Sequence, residues 1–167
     1  MPDKKSPAAI PLGDLSNEQQ KFLKSILSNN ERNYFINGCA GSGKTVMACH
    51  AKQLLNREDK DSQFLVYTKL LSKYVSDAFQ EVNLPISDVD HYEEWEKFNL
   101  TLDSYCDVMI IDESQDFRPS WIETVKEHSN YQIWLGDASQ QIYSTAKKEG
   151  GYEIINSEFN EREFNFD

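Results

Sequence analysis

The run Gly38-Cys39-Ala40-Gly41-Ser42-Gly43-Lys44-Thr45 fits the pattern G-x-x-x-x-G-K-[ST], and it constrains the fold more than any other stretch of the chain. Glycines at 38, 41 and 43 let backbone N–H groups close around an anion. Such a loop works between a strand and a helix, because the helix N-terminus adds its positive dipole end. The flanks comply. Tyr34-Phe35-Ile36 is a short apolar run suited to a buried strand, and Thr45 to about Asn56 carries Val46, Met47, Ala48, Ala51, Leu54 and Leu55 at helical spacing. The loop therefore predicts a site for a nucleoside triphosphate formed by residues 38–45, Cys39, Ala40 and Ser42 included. Lys44 reaches the β and γ phosphates, and the Thr45 hydroxyl ligates Mg²⁺.

A second feature answers the first. Asp107-Val108-Met109-Ile110-Ile111 is nearly continuous in apolar residues, as a parallel strand buried on both faces should be, and it runs into Asp112-Glu113-Ser114-Gln115-Asp116. Ligands of parallel α/β sheets bind at the carboxyl edge of the strands, so Asp112 is placed to hold Mg²⁺. Glu113, one residue on, is placed to take a proton from an attacking water. Hydrolysis, rather than binding alone, is the expected chemistry.

The remaining elements agree. Ser16 is a good N-cap with Gln19 three residues later, and Phe22, Leu23, Ile26 and Leu27 follow on one helical face. Phe64 to Tyr67 reads as a strand, about Leu70 to Val82 as a helix, Ser120 to about His128 as a helix, and Gln132 to Leu135 as a strand. His91 to Phe98 suits a short helix. Strands alternating with helices give an α/β fold with a mainly parallel sheet and helices on both faces. Residues 1–14, with three prolines and a glycine, read as a flexible lead-in. Residues 15–156 form the expected domain, and 157–167 read as a polar tail. Trp134, inside a strand, reads as core; Cys39 reads as a packed thiol and His91 as a surface histidine.

Charge and cysteine content narrow the setting. With 28 acidic against 17 basic residues the net charge is −11, so any grip on nucleic acid must be local. Three cysteines show neither metal-ligand spacing nor a disulfide framework, which suits reduced thiols in the cytoplasm. No apolar run approaches the roughly 20 residues that a membrane helix needs.

Asp112-Glu113-Ser114-Gln115-Asp116 resembles the D-E-x-Q-D signature of UvrD/Rep-type superfamily 1 helicases. Three further matches follow the family's order. Leu15-Ser16-Asn17-Glu18-Gln19 resembles the Q motif, whose glutamine reads adenine, here Gln19. Leu65-Val66-Tyr67-Thr68 resembles a motif that contacts single strands, which implies such a role for Thr68. Leu135 to Tyr143 resembles G-D-x-x-Q-x-I-Y, whose glutamine senses the γ-phosphate, here Gln140, with Tyr143 as a stacking candidate. The resemblance implies the first RecA-like, ATP-binding domain of a P-loop NTPase, with ATP and Mg²⁺ as ligands and single-stranded DNA or RNA as a weak partner. It also implies a second RecA-like domain, or a partner protein, that supplies an arginine finger. Where the family has a tryptophan and a γ-phosphate arginine, this sequence has Thr145 and Ala146. The expectation is a slow ATPase that does not unwind duplexes alone. The alternative, which the acidity favours, is a nucleotide-dependent protein-interaction module without nucleic-acid activity.

Overall fold

In the computed structural model, which describes residues 10–28, 32–99, 105–137, 154, 155, 157 and 163–166, the apolar runs become one sheet. In chain order the elements are α1 (Asn17–Leu27), β1 (Tyr34–Gly38), α2 (Lys44–Arg57), β2 (Ser62–Val66), α3 (Lys69–Glu81), β3 (Val89–His91), α4 (Tyr92–Asn99), β4 (Cys106–Asp112), α5 (Pro119–Glu127), β5 (Ser129–Gly136) and β6 (Glu163–Phe166). The six strands are ordered β3-β2-β4-β5-β1-β6, and every pairing is parallel. This is an α/β fold of the RecA-like P-loop NTPase kind.

Period-two alternation decides which face each side chain joins. Val108, Ile110, Ile133, Leu135, Tyr34, Ile36, Phe64 and Val66 enter a core with Phe22 of α1, Met47 of α2 and Phe79 of α3. Their neighbours Met109, Ile111, Trp134, Phe35 and Leu65 point the other way, to Trp95 of α4 and Trp121, Ile122 and Val125 of α5. Helices thus cover both faces. Trp134 is fully buried, as its place in a strand predicts.

The helix ends follow local chemistry. Ser16 and Gln19 make the full capping box at the start of α1, satisfying two backbone N–H groups that no helical carbonyl reaches. Thr68 caps α3, its hydroxyl oxygen accepting from the Leu71 N–H at 3.2 Å. Pro119 opens α5, where a missing N–H costs nothing. No described helix is long and apolar enough to cross a membrane.

Two stretches differ from the sequence reading. Part of the expected polar tail over 157–167 is strand β6, hydrogen-bonded to β1 with Ile36 opposite Phe164 and Gly38 opposite Phe166. Phe164 and Phe166 alternate with polar residues, and both rings meet Phe22 edge-on at 5.4 and 6.4 Å. That apolar alternation outweighs the acidic composition around it. The lead-in also joins the fold at its end: Leu12–Asp14 form a 3₁₀ turn and Ile10 packs against the core.

Candidate nucleotide site

The site lies where β1, β5 and β4 end side by side. The phosphate loop leaves β1 at Gly38 and enters α2 at Lys44. Gly41 and Gly43 have φ of +82° and +88°, a left-handed conformation that a side chain would strain, so these two glycines are backbone requirements. Gly43 is the N-cap of α2 and supplies no side-chain acceptor, so the helix N-terminus is left for a ligand to satisfy. Ser42 Oγ is buried with no hydrogen-bond partner. Lys44 is buried, and its ammonium donates to the Gly38 and Cys39 carbonyls at 2.6 and 3.1 Å. Cys39, expected to pack, is exposed, because it sits on the open part of the loop.

Thr45 and Asp112 meet across the gap between α2 and β4. The Thr45 hydroxyl donates to Asp112 Oδ2 at 2.6 Å, and the Glu113 N–H donates to Asp112 Oδ1 at 3.0 Å. Asp112 is fully buried; burial and then the Glu113 carboxylate push its pKa up to about 6, against the pull of those two hydrogen bonds and of Lys44. Glu113 has φ +56°, a left-handed conformation uncommon for a residue with a long side chain. Its carboxylate accepts from Gln115 Nε2 at 2.7 Å.

Gln115 is the residue whose work the sequence reading left undefined. While its amide N–H₂ holds Glu113, its carbonyl oxygen accepts from the Asp137 N–H at 3.1 Å, which ties the end of β4 to the end of β5. Gly136 permits this approach. A Cβ there would lie 2.5 Å from Ser114 Oγ and 3.0 Å from Gln115 Oε1. The glutamine was visible in the D-E-x-Q-D run, but its partner was not, since pairing depends on two strands ending level.

Gln19 also reaches the site. Its Nε2 donates to the Ser42 carbonyl at 3.0 Å, while its Oε1 accepts from the Ser16 N–H. One amide proton and one lone pair remain beyond these two bonds. Thr68 is half-buried two residues past the end of β2, with its hydroxyl committed to the α3 cap. His91, expected at the surface, is buried at the end of β3. Gln140 and Tyr143 lie outside the described residues.

The donor set can be tested against a triphosphate with a divalent ion. Among the described residues no group of three His, Cys, Asp or Glu side chains converges to hold a metal. One hydroxyl and one carboxylate, beside a loop with an unsatisfied helix end, suit an ion that takes most of its oxygen ligands from phosphate and water, as Mg²⁺ does. The residues fit the group.

The fold and this site define a P-loop NTPase domain. The chain belongs to the AAA domain family, whose model matches residues 14–142. No curated protein sequence matches it significantly. Solved structures that share the fold include the Pif1 helicase from Candida albicans, at 19% identity and TM-score 0.55 over 91% of this chain and 39% of that one. The SWI2/SNF2 ATPase core of Sulfolobus solfataricus, in complex with dsDNA, matches at 13% identity and TM-score 0.61 over 91% and 44%. AMPPCP-bound DnaA from Aquifex aeolicus matches at 13% identity and TM-score 0.50 over 99% and 50%. The chain spans half or less of the length of each of these structures.

Proposed function

We propose that the chain is the ATP- and Mg²⁺-binding motor domain of a UvrD/Rep-type, superfamily 1 helicase-like protein, and that it hydrolyses ATP slowly by itself. The observation that carries this reading is the hydrogen-bonded series Thr45–Asp112–Glu113–Gln115–Asp137 beside the phosphate loop. A pure phosphate binder needs the loop and Lys44. It has no use for a buried carboxylate followed by a strained glutamate tied to the next strand.

In this reading the backbone N–H groups of residues 38–45 cradle the phosphates. Lys44 exchanges the Gly38 and Cys39 carbonyls for β- and γ-phosphate oxygens. Thr45 and Asp112 would hold Mg²⁺, which when bound neutralises phosphate charge. Gln19 reads adenine with its spare donor and acceptor. Glu113 accepts a proton from water as the water oxygen bonds to the γ-phosphorus; the bond to the bridging oxygen breaks, and ADP leaves. Gln115 orients Glu113 and passes its position to the Asp137 backbone, the start of the segment that carries Gln140 as γ-phosphate sensor. Thr68 and Tyr143 contact single-stranded nucleic acid. An arginine from a second RecA-like domain or a partner protein completes the site and accounts for slow turnover without it, since such an arginine is worth about 10³- to 10⁵-fold.

Kinetics on three proteins test this. Glu113→Gln should bind ATP as the parent does while turnover falls at least about 100-fold, the usual worth of a general base. Lys44→Ala should weaken binding itself. A Glu113→Gln variant as active as the parent would remove the general base from the scheme. The second reading, nucleotide-dependent docking of a protein without nucleic acid, is favoured by the net charge of −11. ATPase rates with and without single-stranded DNA separate the two, because strong stimulation excludes a pure docking module.

A further inference from the structure

Strand β6 stands against the start of the phosphate loop. Gly38, the first glycine of the loop pattern, lies outside the left-handed region, so conformation alone does not demand a glycine there. Space does. A Cβ on Gly38 would lie 2.9 Å from the Phe166 carbonyl oxygen and 3.2 Å from Phe166 Cβ, and it would also overlap Ser42 Oγ. The register gives the reason. Pairing of β1 with β5 ends at Asn37, opposite Gly136, whereas pairing with β6 runs on to Gly38, opposite Phe166. The Gly38 carbonyl is in turn one of the two that hold the Lys44 ammonium, at 2.6 Å. A second line of contact runs through α1. Phe164 and Phe166 meet the wholly buried Phe22 ring edge-on. Phe22 lies about one helical turn beyond Gln19, whose amide donates to the Ser42 carbonyl at 3.0 Å. On the other face of β6, Asn165 Oδ1 accepts from Asn37 Nδ2 at 3.2 Å.

We propose that Phe166 is a positioning residue of the nucleotide site: through Gly38 and Phe22 it fixes the phosphate loop and Gln19 together, so that the docking of β6 sets nucleotide affinity. The cause is preorganisation. Backbone N–H groups grip a phosphate only when they converge, and a loop free to wander must be ordered at the moment of binding. β5 releases β1 one residue before the loop begins, which leaves β6 to hold Gly38 in place. The chemical step is spared. Asp112 and Glu113 follow β4, which is separated from β6 by β5 and β1 in the sheet order. The inference rests on the nucleotide reading of this site, and it goes further in giving a part in binding to a strand that carries none of the motif residues.

The test separates affinity from chemistry in the full chain. Phe166→Ala should raise the KM for ATP and the Kd of a fluorescent ADP analogue about tenfold, the cost of re-ordering roughly one backbone residue on binding. At saturating ATP, kcat should stay within about twofold of the parent, because the groups that act on water are untouched. Phe166→Leu, which keeps a large apolar side chain, should restore most of the affinity. Val125→Ala is the control for lost stability: it truncates a buried side chain near the end of α5, just before β5 begins at the opposite edge of the sheet, and should leave both constants unchanged. Should Phe166→Ala fail to fold, Asn165→Ala loosens the same strand at an exposed position and should raise KM about two- to threefold, the scale of one exposed hydrogen bond. An unchanged KM in these β6 variants, or an equal rise in Val125→Ala, overturns the proposal. Hydrogen exchange without nucleotide distinguishes its failure from that of the site reading. Amides 39–44 should exchange several-fold faster in Phe166→Ala than in Val125→Ala. A parent that binds no nucleotide overturns the site reading, whereas equal exchange in the two variants overturns positioning by β6.

Discussion

The polar cluster at the ends of β1, β4 and β5 and the aromatic cluster at the ends of β2, β3 and β4 share one edge of one sheet, yet they relate to stability in opposite ways. The aromatic cluster converts burial into stability at the cost of a single unpaired indole N–H: four rings (Tyr67, Tyr92, Phe117 and Trp121), stacked and edge-on, with Phe117 and Trp121 almost wholly inside. The polar cluster gives stability up. It buries the Asp112 carboxylate, leaves Ser42 Oγ unpaired and holds Glu113 at a positive φ. Each of these features costs free energy in the nucleotide-free protein. A fold keeps such costs where a ligand is meant to offset them.

The largest effect should come from the aromatic side. Phe117→Ala removes a ring in contact with Tyr67, Tyr92 and Trp121 and should destabilise the chain by about 3–5 kcal/mol in urea denaturation. A loss under about 1 kcal/mol would mean that the four rings do not pack as one cooperative cluster. Next comes Gly136→Ala, on the polar side. Its Cβ must displace Ser114 Oγ and press on Gln115, which should cost about 1–3 kcal/mol. Ser114→Ala in the same chain should restore part of that loss, because it removes the closest atom. Failure of this rescue would mean that the link from β4 to β5 does not depend on close approach at Gly136.

Much of this contrast was legible in the sequence, and the reasons are local. The phosphate loop, the Ser16–Gln19 capping box and the apolar run of β4 each depend on neighbours within a few residues, so the pattern carries them. β3 has only three residues, too few for any periodicity to show. β6 was hidden in acidic composition, although Phe164 and Phe166 already displayed the alternation of a half-buried strand. The Gln115 bridge and the aromatic cluster are tertiary. They arise because distant strands end at the same level, and a single sequence does not encode that level in any one segment.

Asp112 offers a test in which the sign reverses. Its pKa is raised from 3.8 to about 6, so the folded chain holds this proton more tightly than the unfolded one. Stability from this group is therefore full below about pH 4 and is lost as pH rises through about 6. At neutral pH the ionised carboxylate is a cost. Asp112→Asn, measured without nucleotide or Mg²⁺, should be more stable than the parent by about 1–2 kcal/mol at pH 7, with the gain shrinking towards pH 4. The Thr45 hydroxyl can rotate to accept from the new amide. A variant less stable than the parent at pH 7 would show that the Thr45 and Glu113 hydrogen bonds already repay the burial of the charge.

The smallest expected effect separates rings from their polar atoms. The Tyr92 hydroxyl donates across a long 3.3 Å to the exposed Glu93 carboxylate and is also hydrogen-bonded to Tyr67, while its ring packs on those of Tyr67, Phe117 and Trp121. Tyr92→Phe should cost less than about 1 kcal/mol, because the ring contacts stay and the bond it loses to Glu93 is long and has an exposed partner. Thermal denaturation beside Phe117→Ala reads the difference. If Tyr92→Phe instead cost as much as a ring deletion, the aromatic cluster would depend on its polar rim as the nucleotide site does. The two ends of the edge would then follow one rule: shape from the rings, and strength from the hydroxyls and carboxylates around them.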